Sequence, residues 1–166
     1  MLDERELGNW GGAIDPIDES PPGESFSPGG FPTDYDRAGR VDGYLGRIPV
    51  RMTEALVFSD EPMPTTWVPA EFGGTIVRSW WFASSDQQLM EWLNEIPAMT
   101  FHEEGTFLVE GQRLLLFDSA LPGRDVTVEP SQYLVLEMTM GFHNVKTAIY
   151  EPNAETSMVV HRFERI

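Results

Sequence analysis

Residues 145–164 read VKTAIYEPNAETSMVVHRFE, and this stretch decides the fold class. Its two halves, 145–150 and 157–164, have the composition of short strands. The segment between them reads EPNAE, whose proline and asparagine are typical of tight connections. The sequence therefore predicts an antiparallel pair of strands near the end of the chain.

Further strand candidates, with turn signals between them, occur along most of the chain. They cover residues 45–50, 54–59, 74–82, 107–109, 114–117 and 132–140. The β-branched and aromatic residues in these segments favour extended backbone. Glu110-Gly111 lies between two of the candidates, and glycine tolerates the positive φ of a tight turn. We therefore expect residues 107–109 and 114–117 to form a hairpin.

One segment has helical rather than strand periodicity. Apolar residues recur at helical spacing between Leu89 and Leu93. Ser85 can cap the first turn, and Pro97 ends the segment. Together with the short strands, this pattern predicts a mostly-β fold. The architecture we expect is an antiparallel β-sandwich or a partly open barrel, with one short α-helix near residues 85–95.

The first part of the chain differs in composition from the rest. Residues 11–32 are rich in proline and glycine and have no apolar periodicity, which is typical of loops. The first 36 residues hold nine acidic residues and one arginine, which amounts to half of the formal net charge of −16. We therefore expect residues 1–32 to form an acidic, Pro/Gly-rich irregular segment, and residues 33–166 to form a single mostly-β domain.

Composition argues against several classes of function. The chain has no cysteine, so it forms no disulfide and no thiolate site. It has no apolar run of about 18 residues, which a membrane-spanning helix needs. Its acidic start does not resemble a signal peptide, and we expect a cytoplasmic protein that contacts no membrane. The net charge of −16 should repel nucleic acid and attract basic surfaces, although the same charge would also serve solubility alone.

The sequence contains no motif for catalysis or metal binding. The histidines, His102, His143 and His161, lack the spacing of a metal site. His102-Glu103-Glu104 reads as an exposed turn, and His161 lies in a strand candidate where it is expected to point outward. Ser119 is not part of a nucleophile motif, and there is no glycine-rich phosphate loop. We expect no cofactor, no metal and no enzymatic activity.

Acidic residues provide the candidate binding sites. At the start of the ordered region, Asp34 can cap a turn and Arg37 can pair with a nearby carboxylate, which is a structural interpretation. Alternatively, two exposed carboxylates beside a tyrosine would suit a partner that presents arginine or lysine. The candidate partner-binding residues are Asp34, Tyr35, Asp36, Glu103 and Glu104.

Several segments resemble the immunity protein 21 family. They are TDYDRA (33–38), VDGYLGRIPV (41–50), EALVF (54–58), DEP (60–62), TTW (65–67), IVRSW (76–80), LLFDSA (115–120) and PG (122–123). A strand around Tyr133 and a closing strand at 157–165 complete the resemblance, which covers residues 31–166. Family members begin with an apolar strand and a Gly-Gly-Pro segment. Only Trp10-Gly11-Gly12 matches that region, so the first strand looks missing.

The resemblance implies a cytoplasmic, mostly-β antidote from a bacterial polymorphic-toxin system, which binds a cognate toxin domain and blocks it. With the charge, it gives the leading hypothesis of an immunity protein that binds a basic toxin, such as a nuclease, through an acidic surface. Two alternatives stay open. One is a small ligand-binding β-barrel or enzyme of unknown substrate, and the other is an acidic nucleic-acid mimic of phage type.

Overall fold

The computed structural model describes residues 1–14, 32–59, 63–71, 73–79, 91, 100–154 and 156–166. Strands make up 51% of the structure and pair in antiparallel sheets, which confirms the predicted mostly-β fold. Within the described residues no sheet closes into a barrel. The helix predicted near residues 85–95 lies outside the described residues, apart from Glu91, whose backbone is helical. Because residues 15–31 also lie outside them, the domain boundary predicted at residue 32 stays a prediction.

Ten strands and two α-helices have described bounds. The strands are β1 (Leu2–Asp3), β2 (Gly46–Val50), β3 (Thr53–Val57), β4 (Thr65–Ala70), β5 (Gly73–Ser79), β6 (Glu103–Val109), β7 (Arg113–Phe117), β8 (Tyr133–Glu137), β9 (Gly141–Asn153) and β10 (Thr156–Arg165). The helices are α1 (Asp34–Ala38) and α2 (Gly123–Val126), with 3-10 helices at Glu4–Asn9 and Pro130–Gln132. The chain forms two compact units: unit 1 (Met1–Asp60 and Gly111–Glu137) and unit 2 (Glu61–Glu110 and Met138–Ile166).

Unit 1 contains the three-stranded sheet β1-β7-β8 and the hairpin β2-β3. In β1, Leu2 is fully buried and pairs with Leu115 of β7. The Met1 nitrogen donates to the Leu56 carbonyl at 2.7 Å, and the Leu56 nitrogen donates to the Met1 carbonyl at 3.0 Å. These bonds join β3 to the start of β1. The expectation of a missing first strand is therefore wrong, because a strand of two residues is too short to show a period of two.

The apolar side chains of unit 1 form a core that both groups of strands share. The buried members are Leu2, Trp10, Ala38, Ile48, Val50 and Ala55, and the half-buried Val41, Val57 and Phe117 pack against them. In β2, Ile48 and Val50 are buried while Arg47 and Pro49 are exposed, which is the alternation expected of a strand with one covered face. The strand candidates at 45–50 and 54–59 are confirmed as β2 and β3, and the structure pairs them with Ile48 opposite Ala55.

Unit 2 is built around a five-stranded antiparallel sheet in the order β4-β5-β10-β9-β6. The two predicted terminal strands, β9 and β10, pair along their length, with Val160 opposite Ala148. Val160 also lies opposite Val77 of β5, so β10 is the central strand of the sheet. Long pairing on both sides explains why β10 is the most continuously buried strand of this unit.

The hairpin predicted around Glu110-Gly111 is wrong, although both strands exist. β6 pairs with β9 in unit 2, and β7 pairs with β1 and β8 in unit 1. The connection therefore passes from one sheet to another instead of turning back. Gly111 is needed there for a different reason, because a Cβ at this position would collide with the Asp3 carboxylate. A glycine in the sequence indicates where the chain can turn, but it does not indicate which strands pair on either side of the turn.

Two histidines lie in the buried part of unit 2. His161 of β10 was expected to point outward, but it is fully buried and its Nδ1 lies 2.9 Å from the Thr147 hydroxyl. Burial, with a further contribution from the charge of Arg78, lowers the pKa of His161 to about 3. His143 of β9 is also fully buried, and burial lowers its pKa as well. Both imidazoles are therefore neutral in the folded protein at neutral pH.

We expect acid to destabilise the protein through His161. In the folded protein the pKa of His161 lies below its ordinary value of 6.5. As the pH falls from 6.5 toward 3, the unfolded chain therefore binds a proton that the folded chain does not bind, and the free energy of unfolding decreases. By linkage, the loss between pH 7.5 and pH 5 is about 2 kcal/mol. Urea unfolding at the two pH values measures it. His161→Asn, which keeps a partner for Thr147, should remove most of this pH dependence.

The exposed His102 provides the matched control. His102→Asn should leave the difference in unfolding free energy between pH 7.5 and pH 5 unchanged. If His161→Asn and His102→Asn have the same pH dependence as the unsubstituted chain, burial of His161 does not cause the acid sensitivity.

Candidate functional site

Helix α1 carries the first group of predicted binding residues, and its start is fixed by a capping box. The Asp36 nitrogen donates to the Thr33 hydroxyl at 3.1 Å, while the Thr33 nitrogen donates to the Asp36 carboxylate at 2.9 Å. The Thr33 hydroxyl lies 2.9 Å from the same carboxylate. These hydrogen bonds hold the pKa of Asp36 below its usual value, so this exposed carboxylate is ionised at neutral pH.

Asp34 has a different environment from Asp36. Its carboxylate forms a buried ion pair with Arg37, with 3.1 Å between Arg37 Nη1 and Asp34 Oδ1, and both side chains are at most 7% exposed. The backbone nitrogen of Gly11 donates to the other carboxylate oxygen at 2.8 Å. Arg37 Nη2 donates to the Pro49 carbonyl at 2.8 Å. Of the two carboxylates that were expected to be exposed, only that of Asp36 is, because the carboxylate of Asp34 is buried and bonded to Arg37 and Gly11.

Tyr35 is the exposed neighbour of this buried pair, with 47% of its surface accessible. Its backbone nitrogen donates to the Gly12 carbonyl at 3.2 Å, so the position of the helix is fixed while the ring faces solvent. Tyr35 and Asp36 thus form a small exposed surface, here called the α1 surface, on a rigid support. An aromatic ring next to a carboxylate is a chemically suitable contact for an arginine of a partner.

The segment Trp10–Ala13 packs against the loop that precedes α2. Trp10 Nε1 donates to the Ser119 carbonyl at 3.1 Å, and the Ala13 nitrogen donates to the Ala120 carbonyl at 3.0 Å. The ring of Trp10 meets Phe117 edge to face, with 5.9 Å between centroids. Gly12 has a φ of 62°, and a Cβ there would lie 2.6 Å from the Ala120 carbonyl oxygen. Only glycine fits this close approach.

Three of the segments on which the family resemblance depends, 10–12, 33–38 and 115–123, therefore meet inside unit 1. Residues 10–12 contact residues 33–37 on one side, through Gly11 and Gly12, and residues 117–123 on the other. Most of the contacts are backbone hydrogen bonds or buried side-chain contacts. These motifs therefore contribute to the scaffold of unit 1.

Glu103 and Glu104, the second predicted group, belong to unit 2, whereas the α1 surface belongs to unit 1. Their backbone starts β6, in register with Thr147 and Lys146 of β9. The segment His102-Glu103-Glu104 was expected to be a turn, which is wrong. The His102 nitrogen already donates to the Thr147 carbonyl at 2.8 Å, so sheet pairing begins before Glu103. The two acids thus lie on the last strand of the sheet among the described residues.

Unit 2 also exposes apolar side chains that sequence reasoning missed. Leu108 of β6 lies opposite Phe142 of β9, and they are 41% and 55% exposed. The Ile166 nitrogen donates to the Phe142 carbonyl at 2.9 Å, and Ile166 is 70% exposed. We call Leu108, Phe142 and Ile166 the apolar row. The alternation within each strand could have suggested these residues, but their alignment depends on the pairing of β6 with β9.

Two further kinds of site, a metal-binding cluster and a membrane-spanning helix, are absent from the described part of the chain. It holds no group of three or more histidine, aspartate or glutamate side chains that could bind a metal ion. Among the described residues, no helix is both long and apolar enough to span a membrane. The buried His143 and His161 lie on neighbouring strands, and the contact described for each ring is to a carbonyl or a hydroxyl.

The fold and these surfaces define a small, acidic, mostly-β protein with rigid exposed contacts. A model of the immunity protein 21 family matches residues 2–156 of the 166-residue chain. The chain therefore belongs to the immunity protein 21 family. The match begins at residue 2, so it includes β1 and the Trp10–Ala13 segment, and it ends at residue 156, before the closing strand at 157–165 on which the resemblance also drew. Neither the search of curated proteins nor the search of solved structures found a match.

The roles of Asp34 and Asp36 can be separated by stability measurements. Asp34→Asn leaves the Arg37 guanidinium buried without an anion, and we expect it to lower the free energy of unfolding by about 3 kcal/mol or more. Asp36→Asn only weakens an exposed cap and should cost about 1 kcal/mol or less. Urea unfolding at pH 7.5 measures both values. Equal losses for the two variants would contradict the scaffold role of Asp34.

Proposed function

We propose that this chain is an immunity protein that binds a cognate bacterial toxin domain and neutralises it. The observation that carries the proposal is the family match over residues 2–156. A protein of this kind works by occluding its partner, so the proposal includes a non-enzymatic role. It also places the protein in the bacterial cytoplasm, where an antidote meets a toxin that enters or is made in the same cell.

The charge of the chain supports a basic toxin. Its formal net charge is −16, and several of its arginines already contact carboxylates within the fold. Arg5 pairs with Asp3, Arg113 with Glu4, and Arg47 with Glu54. The Arg113–Glu4 and Arg47–Glu54 pairs are exposed and add little stability, whereas Asp3 is buried in its pair with Arg5. Together the three pairs leave few cations to offset the acidic surface. Nuclease domains carry basic surfaces to bind phosphates, so a nuclease is the kind of toxin this charge would suit.

The proposed contacts follow from exposure. Tyr35 and Asp36 of the α1 surface are accessible, and Glu103 and Glu104 remain candidates on β6. Asp34 takes part only indirectly, because its carboxylate holds the helix in place. An exposed aromatic ring with one adjacent carboxylate resembles the anchor residues found at many interfaces, where tyrosine and arginine contribute much of the binding energy.

The proposal is tested with the toxin encoded next to this chain. Co-expression should restore growth of cells that produce the toxin, and the purified proteins should elute as a complex in gel filtration. If the acidic surface steers association, the association rate constant should fall about tenfold or more between 50 and 500 mM NaCl. Stopped-flow fluorescence can follow this step.

Absence of both growth rescue and complex formation would overturn the proposed function. A complex whose association rate is insensitive to salt would support the immunity role and contradict the acidic surface as the route of binding. An inactive toxin variant is the control for the growth assay, since it should permit growth whether or not this chain is present.

A further inference from the structure

We propose that the apolar row of Leu108, Phe142 and Ile166 is the anchor that holds the toxin domain after encounter. This inference rests on the proposed function and assigns it a second surface, on unit 2. Leu108 and Phe142 lie opposite each other on β6 and β9, and Ile166, which directly follows β10, donates its backbone N–H to the Phe142 carbonyl. Since neighbouring strands are about 4.8 Å apart, the row extends across about 10 Å of the sheet.

The composition of this sheet face makes the row unusual. Residues directly opposite each other on paired strands share a face, so Leu108 and Phe142 point to the same side. A sheet face that is open to water normally carries polar side chains, but here large apolar residues are aligned and exposed. Exposed apolar patches with a polar border are typical of interaction sites.

A polar border is present on the same face. Asn144 lies on β9, two residues after Phe142. It is opposite Thr106 of β6 on one side and opposite Glu164 of β10 on the other. Glu164 accepts from Lys146 Nζ at 3.0 Å and pairs with Arg162 Nη2 at 2.9 Å. Lys146 and Arg162 therefore share one carboxylate, whose charge offsets one of the two cations. The arrangement matches an interface with an apolar centre and a polar rim.

Charge along β6 indicates what the partner looks like. The exposed Glu110 lies directly after the end of β6, two residues beyond Leu108, in a chain whose net charge is −16. A partner that places apolar side chains on the row would bring its flanking surface close to this acid. The occupant that fits is a protein domain with an apolar contact surrounded by lysine and arginine, which is the kind of toxin proposed above.

A second copy of this chain fits less well. Stable interfaces bury roughly 800 Å² on each partner, and three side chains supply only a small part of that area. Self-association would also bring together two chains that each carry a net charge of −16. The row therefore needs a partner whose remaining contacts lie elsewhere on the acidic surface. In this division of roles, the acids accelerate association and the apolar row slows dissociation.

The test measures the rate constants of the complex between the full chain and an inactive form of the neighbouring toxin. Phe142→Ser and, separately, Leu108→Ser should raise the dissociation rate constant about tenfold or more, because central apolar contacts dominate binding energy. The association rate constant should change less than about twofold, since no charge is altered. Thermal unfolding of each variant checks that the sheet is retained.

Met52→Ser and Val128→Ser are matched controls, because both residues are exposed apolar side chains of unit 1, at 98% and 76%. They should leave the dissociation rate unchanged. If the unsubstituted chain binds the toxin but the Phe142 and Leu108 variants dissociate at the same rate as the controls, the apolar row is not the anchor and the proposed function stands. If the unsubstituted chain neither binds nor protects, the proposed function fails first. A dimer in sedimentation that Phe142→Ser abolishes would assign the row to a second copy and overturn the inference.

Discussion

The buried ion pair between Asp34 and Arg37 is the constraint on which unit 1 depends. Removing two charges from water is costly, and the cost is offset only when every lone pair and N–H group finds a partner. Here Gly11 and Pro49 supply such partners through their backbone atoms. The pair therefore requires the N-terminal segment, α1 and β2 to meet in one geometry. Replacing both members of such a pair by apolar side chains of similar size is often neutral for stability, whereas removing one member leaves a buried charge without its partner.

Sequence reasoning recovered the strands and failed on several of their partners. β9 and β10 were predicted because they are long and joined directly by a turn, so that local signals also define the pairing. β6 and β7 are equally clear as strands, yet the chain between them crosses from one sheet to another. β1 was missed because two residues carry no periodicity. Pairing is a long-range property, and turn residues report only local backbone conformation.

The candidate site shows the same limit for individual side chains. Asp34 and Asp36 looked equivalent in the sequence, but residues two apart on a helix point to different sides, whereas Asp34 and Arg37 are three apart and share a face. If α1 had been predicted as a helix, the sequence would have indicated that Asp34 and Asp36 have different environments, with one carboxylate buried and the other exposed. The apolar row could not be predicted in this way, because Leu108 and Phe142 become neighbours only through the register of β6 and β9.

These observations separate what identifies the family from what selects a partner. Three of the segments that carry the resemblance, 10–12, 33–38 and 115–123, meet around Trp10 and the Asp34–Arg37 pair, where they are occupied by internal contacts. A match to such residues identifies a scaffold, and a scaffold alone does not define what is bound. In the function proposed above, selection of a toxin would depend on side chains that reach solvent, such as Tyr35 and Phe142. Because neither takes part in the buried ion pair, a substitution at either position leaves that pair intact.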